Sequence, residues 1–322
     1  MRQYVIRRLF ISIFVLLGVS VIIYGLLRTA PADYVSTITN GIPDATPEMK
    51  AKLTELYGLD KGIVEGYVDW LTSAVKGDLG VSFIYNKPAQ DVIKDKMWIS
   101  FWMALPSFVL QLLIAIPLGI ISATKQYSVT DYTVTTIALL GISLPSFFFA
   151  ALLQKIFSME LGWFPLQGMV TAREDYVGFA HIMDMVWHFV LPITVLTVLS
   201  IGGLMRYSRT NMLEVLNADY IRTARAKGLS EHKVIYKHAF RNTLIPIVTM
   251  VGGMIPGLFS GAMITEGIFS IEGLGYIGLK ALRSGDIPFM MAFTMFLAVL
   301  TLLGTLLSDI LYAVVDPRVR LK

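Results

Sequence analysis

Cysteine is absent from the 322 residues of this chain. The protein therefore has no disulfide, no cysteine-ligated zinc or iron–sulfur site and no thiol nucleophile. Charged residues are also scarce, at 16% compared with about 25% in soluble domains. Together with an apolar fraction of 55%, this scarcity excludes an ordinary soluble enzyme, a disordered chain and a collagen. The net charge of +4 is too small to indicate a nucleic-acid-binding protein.

Sequence motifs that mark enzymes and nucleotide-binding proteins are also missing. The chain has no G-x-x-x-x-G-K-S/T loop for ATP, no H-E-x-x-H metal site and no G-x-S-x-G nucleophile elbow. The run Gly273–Gly278 matches G-x-G-x-x-G, but it lies in a predicted external loop without a preceding strand, so we do not interpret it as a dinucleotide site. We predict that the chain is not an enzyme and holds no metal or cofactor of its own.

The apolar residues fall in blocks long enough for helices to cross about 30 Å of hydrocarbon at about 1.5 Å per residue. We predict six spans, at 9–27, 98–123, 132–156, 186–205, 243–264 and 290–314. We interpret the first as an uncleaved helix rather than a signal peptide, because its apolar core is long and the A-x-A-like site contains Pro31. The resulting regions are the N-terminal end with span 1 (1–28), an external loop region (29–97) and a five-helix core (98–322).

Lysine and arginine predict the orientation in the membrane, since they accumulate in cytoplasmic loops. The first eight residues contain three arginines, and the tail 316–322 contains three basic residues. Segment 206–241 has eight basic and three acidic residues, whereas 157–185 has one basic and four acidic residues. We predict a multi-pass protein of the cell membrane with both termini and 206–241 in the cytoplasm, and 29–97 outside.

Prolines interrupt several spans and predict kinks whose free carbonyls are satisfied inside a bundle. In span 5, Gly253, Gly257 and Gly261 recur at every fourth residue, which lets another helix pack closely. Tight packing alone explains each feature, but the combination favours a bundle that moves or lines a path. Asp309, near the inner end of span 6, has either a structural or an ion-handling role, of which we favour the structural one.

The cytoplasmic segment 206–242 carries the strongest functional signal. Residues from Asn217 to Lys227 favour a short helix, with Asn217 or Asp219 as N-cap and Gly228 as its stop. Ala224 and Gly228 lie four residues apart and form a face of small residues. Such a helix fits into a groove on a cytoplasmic partner or rests on anionic lipid, and the residues alone do not separate these interpretations.

The run YIRTARAKGLS at 220–230, followed by Arg241 and Asn242, closely resembles the coupling loop of the peptide-importer permeases of ABC transporters. Other stretches resemble the same family in order along nearly the whole chain: GDLGVS at 77–82, LPSF at 144–147, GWFP at 162–165, FSIEGLG at 269–275 and DPR at 316–318. The resemblance implies an all-α integral membrane protein with about six transmembrane helices and a type I ABC importer-like fold. It also implies a large external loop and a cytoplasmic coupling helix.

The resemblance further implies partners and site residues. It implies a second homologous permease subunit, two cytoplasmic ATPase subunits that bind ATP and magnesium, an extracellular substrate-binding protein and short peptides as substrate. Coupling to the ATPases would involve Tyr220, Arg222, Thr223, Ala224, Arg225, Gly228, Leu229 and Ser230. The residues 222–224 (Arg-Thr-Ala) stand where the general coupling motif has E-A-A. This departure from the motif resembles the first of the two permeases in peptide systems and implies a heterodimeric pair. Glu272 replaces a proline usual in the family, so the turn at 270–275 is not predicted.

Alternatives differ in cargo or in class. Related permeases carry nickel chelates, glutathione-like peptides or oligosaccharides, and these remain the alternative cargoes. An intramembrane enzyme needs a catalytic group with a partner inside the membrane, and none is visible in the sequence. A secondary transporter needs ionisable residues at mid-bilayer and internal repeats, which we do not find. The preferred hypothesis is half of an ATP-driven import path that works by alternating access.

Overall fold

The computed structural model describes residues 2–30, 34–39, 46–172, 174 and 176–315, and these are almost entirely helical. Within them the only extended pairing is a single antiparallel bridge between Val81 and Pro88. Pro31 and the tail 316–322, which entered the sequence predictions, lie outside the described residues.

The first half of the chain begins with one long helix and continues through short helices to a second long one. These helices are α1 (Arg2–Thr29), α2 (Tyr34–Thr39), α3 (Pro47–Leu56), α4 (Ile63–Val75) and α5 (Ala89–Thr124). The first turn of α3 is capped by the Thr46 hydroxyl, which accepts a hydrogen bond from the Met49 amide at 3.2 Å. Helix α5 begins nine residues before the predicted span, so part of the predicted external region is its outer end.

The middle of the chain forms a bent pair of helices and the longest helix of the protein. These elements are α6 (Val129–Ser143), α7 (Ser146–Leu153), a π-helical turn (Gln154–Glu160) and α8 (Phe179–Leu216). The predicted span 132–156 is not one straight helix, because α6 and the helix after it meet at 98°. Pro145 causes the break: it has no amide N–H to continue the helix, and it holds Leu144 in extended backbone (φ −75°, ψ 127°).

The last part of the chain contains several short helices between two membrane-crossing stretches. These helices are α9 (Asp219–Ala226), α10 (Glu231–Lys233), α11 (Phe240–Met254), α12 (Gly257–Ser260), α13 (Met263–Ile268), α14 (Leu274–Ser284) and α15 (Ile287–Val315). The predicted span 243–264 is therefore not one continuous α-helix. Its first part, α11, ends at Met254, two residues before Pro256. The ring of Pro256 lies where a side chain at Gly304 of α15 would be, so that glycine makes room for the break.

Five stretches of the described chain are long and apolar enough to cross a membrane, and the bent pair α6–α7 brings the number to six if it counts as one span. Helix α8 lies at the centre and packs against α5, α6 and α11. Two glycines allow its close approach to neighbours. A Cβ at Gly119 of α5 would lie 2.6 Å from the Ser208 Cβ, and one at Gly202 would overlap the Ala138 carbonyl of α6.

The G-x-G-x-x-G run Gly273–Gly278 does not lie in a loop, as its sequence suggested, but starts helix α14. Its last two glycines make room for packing. A Cβ at Gly275 would lie 2.7 Å from the Met263 amide nitrogen, and one at Gly278 would lie 2.7 Å from the Phe293 ring. This run is a helix-packing element at the end of the bundle opposite α9.

Candidate functional site

Helix α9 lies at the centre of the segment 206–242, directly after α8. Gly228 ends it as predicted, with φ +75° in the left-handed region that glycine tolerates. The predicted N-caps are wrong: Ala218 takes that position without a side-chain hydrogen bond. Asn217 instead closes α8, where its Nδ2 donates to the Leu213 carbonyl at 3.0 Å. Asp219 lies in the first turn of α9, where the helix dipole favours a carboxylate.

One face of α9 is buried against the same chain. Ile221 and Ala224 are 0% and 6% exposed. They belong to an apolar cluster that joins α9 to the inner ends of α5 and α8, and its other buried members are Ile120, Ala123, Met212, Val234 and Ala239. The sequence prediction placed Ala224 on the face that meets a partner, and this placement is wrong. The small side chain instead allows α9 to approach its own scaffold closely.

The opposite side of α9, which we call the exposed α9 face, consists of Tyr220, Arg222, Thr223 and Arg225. Tyr220 is 48% exposed, and partial burial raises the pKa of its phenol above the ordinary value. Arg225 pairs with Glu231 at 2.9 Å. Of the remaining predicted coupling residues, Gly228 and Ser230 are exposed and Leu229 is half-buried. The exposed α9 face is therefore basic and polar, and it is open to a partner.

An ion pair between the buried Asp131 and the partly buried Arg209 joins three helices close to α9. The guanidinium of Arg209 on α8 donates to both carboxylate oxygens of Asp131 on α6, at 3.0 and 2.8 Å. Its Nε also lies 2.9 Å from the Ser122 hydroxyl of α5, which donates to Asp131. The Tyr127 amide donates to the same carboxylate at 3.0 Å. We call Ser122, Asp131 and Arg209 the ionic clamp.

Sequence reasoning missed the ionic clamp. Asp131 is only 3% exposed, although it lies at the edge of a predicted short loop. The available signal was the presence of single opposite charges at the inner ends of two spans. Removing charges from water is costly unless they pair with good geometry and make further hydrogen bonds. The bidentate arginine–carboxylate pair meets both conditions. The clamp therefore fixes α5, α6 and α8 to one another at the end that carries α9.

At the opposite end of the bundle, the family-like stretch at 269–275 packs around Glu266, which is 0% exposed. Its carboxylate accepts hydrogen bonds from the Ser100 hydroxyl at 2.7 Å and from the Tyr276 amide at 2.8 Å. Ser100 in turn accepts from the Leu274 amide at 2.8 Å. The turn at 270–275, which the sequence left open, is thus held by Glu266. Glu272 faces outward and pairs with Lys96 at 2.8 Å, which lowers the pKa of its carboxyl.

A second buried carboxylate, Asp286, holds the other outer stretch, GDLGVS at 77–82. It accepts hydrogen bonds from the Ser82 hydroxyl at 2.6 Å and from the Ile84 amide at 3.1 Å. Gly80, at φ +92°, lies against Pro288, where a Cβ would come within 3.0 Å. Neither Asp286 nor Glu266 was among the predicted site residues. Both carboxylates organise the backbone at the end of the bundle opposite α9.

The predicted glycine stripe divides into two parts. Gly261, at φ +76°, is in close contact with Gly275 of α14. A Cβ added at Gly253 or Gly257 would meet nothing within 4 Å, and both glycines are exposed. The neighbouring Gly252 is the residue that faces α15, since a Cβ added there would lie 3.1 Å from the Ser308 Cα. Close packing at Gly253 and Gly257 therefore stays a prediction that concerns a second chain.

Asp309 links the first and last membrane-crossing helices. Its carboxylate accepts a hydrogen bond from the Tyr4 hydroxyl at 2.7 Å and forms an ion pair with Arg8. These contacts support the structural role that the sequence analysis favoured. Groups of three or more histidine, aspartate or glutamate side chains able to hold a metal ion do not occur in the described part of the chain.

Comparisons with known proteins agree with the architecture. Residues 115–321 match the family model of the binding-protein-dependent transport system inner membrane component, and residues 1–104 match the model for the N-terminal part of such membrane components. The oligopeptide transport system permease protein AppB of Bacillus subtilis (strain 168) is 38% identical over 99% of both chains. The dipeptide transport system permease protein DppB of Alkalihalophilus pseudofirmus is 34% identical over 99% of this chain and 100% of its own.

Among solved structures, the inward-facing MetNI methionine ABC transporter has a chain that matches with a TM-score of 0.55. That match covers 70% of this chain and 97% of the other at 17% identity, so it shows a shared fold. The family resemblance inferred from the motifs is confirmed, and so is the all-α membrane architecture. A chain that the family models match over nearly its whole length belongs to that family, the inner-membrane components of binding-protein-dependent transport systems.

Proposed function

We propose that this chain forms half of the path by which short peptides enter the cell, driven by ATP hydrolysis on partner subunits. The observation that supports the proposal is the exposed α9 face. The other face of α9 packs against the ends of α5 and α8. The peptide cargo is supported by relatives of equal length that are named oligopeptide and dipeptide permeases.

The coupling step follows from how α9 is held. Ile221 and Ala224 fix α9 to α5 and α8, and the ionic clamp fixes α5, α6 and α8 together. A force applied to the exposed α9 face is therefore passed to three helices as one body, because packed interfaces shift as units. Closure of the ATPases thereby selects which side of the membrane the path opens to, a two-state equilibrium biased from a separate site.

The assembly comprises a second, similar permease subunit, two cytoplasmic ATPase subunits and an external substrate-binding protein. ATP and magnesium bind to the ATPases, and this chain carries out no chemistry. Both termini and 206–241 lie in the cytoplasm, an orientation supported by the excess of lysine and arginine there. Family membership supports the involvement of ATPases and a binding protein.

The cargo is tested by purifying the assembled complex and identifying what its binding protein retains. We expect mass spectrometry to identify a mixture of short peptides. We also expect proteoliposomes to take up a labelled peptide of the same length when ATP is supplied on the side of the membrane that carries the ATPases. Retention of a nickel chelate or an oligosaccharide, with no peptide uptake, would replace peptide with one of the alternative cargoes and leave the permease assignment intact.

The second permease is proposed to pack against Gly253 and Gly257, which are exposed and have no neighbour in this chain. We expect Gly257→Leu to lower the yield of assembled complex and the uptake rate, because overpacking a close interface costs about 1–3 kcal/mol. Co-purification of the two permeases measures the effect. Gly18→Leu, at an equally open glycine of α1, is the matched control and should leave assembly unchanged. Wild-type assembly and uptake with Gly257→Leu would show that the stripe faces lipid.

A further inference from the structure

Helix α4 runs beside α1 in the opposite direction, from the outer end of α1 towards its middle. At the start of this pairing, Arg28 donates to the carbonyls of Leu59 at 3.1 Å and Lys61 at 2.5 Å. Further along, the hydroxyl oxygens of Tyr67 and Ser20 lie 2.9 Å apart. Ser20 is eight residues before Arg28, which is about 12 Å along a helix. Lys61 and Tyr67 are six residues apart, so the two segments run side by side over about 9–12 Å.

The depth of this pairing follows from the charges of α1. No charged residue lies between Arg8 and Arg28, and the 19 residues at 9–27 span about 28 Å as a helix. That length matches the hydrocarbon core of a bilayer, about 30 Å. The two arginines therefore mark its edges, and Ser20 lies well inside it. The part of α4 that contacts Ser20 is at the same depth.

Helix α4 has three faces, each repeating at helical spacing. The inner face contacts α1 and consists of Gly66, Tyr67, Trp70 and Ala74; for example, the Tyr24 ring occupies the space beside Gly66. The apolar stripe consists of Val64, Val68, Leu71 and Val75. The polar stripe consists of Glu65, Asp69, Thr72 and Lys76. At about 100° per residue, these residues fall into two adjacent stripes on the side of α4 that points away from α1.

The apolar stripe is open, although it lies at hydrocarbon depth. Val64, Val68 and Val75 are 77%, 49% and 81% exposed. The stripe continues into an apolar groove of about 420 Å³ between α1, α4 and α15, whose walls include Leu17, Val75 and Phe296. On the other side of the groove, the surface of α1 exposes further apolar side chains. The apolar stripe and the lipid-facing surface of α1 thus form one continuous apolar surface.

We propose that α4 enters the membrane from its outer side, with its apolar stripe against lipid acyl chains and its polar stripe turned away from lipid, towards water. Its assignment to the outer side rests on the orientation proposed above. The region 29–97 then contains a helix that enters the membrane without crossing it. Lipid is the fitting occupant because the stripe carries no charge and lies below Arg28, where a soluble binding protein does not reach.

The test uses spin labels, which the absence of cysteine makes possible without background substitutions. Val68→Cys and Asp69→Cys are labelled in the assembled complex in lipid nanodiscs. These consecutive residues belong to the apolar and the polar stripe, about 100° apart on the helix and at nearly the same depth. Collision rates are measured with oxygen, which concentrates in lipid, and with a water-soluble nickel chelate. We expect oxygen to dominate at Val68 and the nickel chelate to dominate at Asp69. Val75→Cys repeats the measurement on the apolar stripe if Val68→Cys does not assemble.

The possible outcomes separate the occupants. Dominance of oxygen at Val68 and Val75 supports the proposal. Dominance of the nickel chelate at both places the stripe in water and overturns it. Protection from both reagents overturns it in favour of a protein partner, and loss of that protection when the binding protein is removed identifies the partner. These outcomes concern α4 alone, so uptake of peptide by the same complex tests the proposed function independently.

Discussion

Replacing Arg209 with methionine is expected to destabilise the protein by about 3–5 kcal/mol, because it leaves a buried carboxylate without its cation. Asp131 is 3% exposed, and the neutral donors that would remain are the Ser122 and Thr135 hydroxyls and the Tyr127 amide. We expect a lower midpoint of thermal unfolding for the purified complex. We also expect a loss of uptake larger than the loss of protein, since α5, α6 and α8 no longer move with α9 as one body.

A double-mutant cycle distinguishes loss of the pair from loss of the arginine alone. The double variant Asp131→Asn/Arg209→Met removes both charges and should unfold at a higher temperature than Arg209→Met. Arg206→Met, at an exposed arginine one turn earlier on α8, is the control and should behave as wild type. Additive losses in the double variant would mean that Asp131 and Arg209 act independently, and the ionic clamp would not exist.

Replacing Thr223 with tryptophan is expected to abolish uptake and substrate-stimulated ATP hydrolysis together, with normal insertion in the membrane. Thr223 lies in the exposed α9 face, and its hydroxyl donates to the Asp219 carbonyl of the same helix at 3.0 Å. A large ring there does not disturb the scaffold but does prevent a close fit in a groove. Co-purification with the ATPases measures docking, and uptake by proteoliposomes measures coupling. We expect at least a tenfold loss in both.

Lys237→Trp is the matched control, since Lys237 is exposed in the same cytoplasmic segment but lies outside α9. It should assemble and transport as the parent protein does. Wild-type yield of ATPases and normal uptake with Thr223→Trp would show that α9 rests on lipid instead. Ala224→Glu is a poor test of docking, because the glutamate would enter the apolar cluster of this chain and disrupt the segment itself.

Properties that depend on one stretch of chain were readable in the sequence. The length of an apolar run identifies a helix that crosses the membrane, and the exposed helix stop at Gly228 follows from the backbone freedom of glycine. The runs at 77–82, 220–230 and 269–275 were sufficient to indicate the family. Pro145 predicted an interruption of its span. Its 98° angle, however, depends on what the two halves pack against.

Properties that depend on which stretches meet were decided only by the tertiary structure. The spacing of Ala224 and Gly228 indicates a close approach, but it does not indicate whether the neighbour is the same chain or a partner. Asp131 and Arg209 are 78 residues apart, and neither has a local pattern that pairs them. The apolar stripe of α4 is hidden in a hydropathy profile by the acidic residues of the next stripe. Burial depends on long-range packing. Helical periodicity shows which residues share a face, but not which part of the molecule or which partner packs against that face.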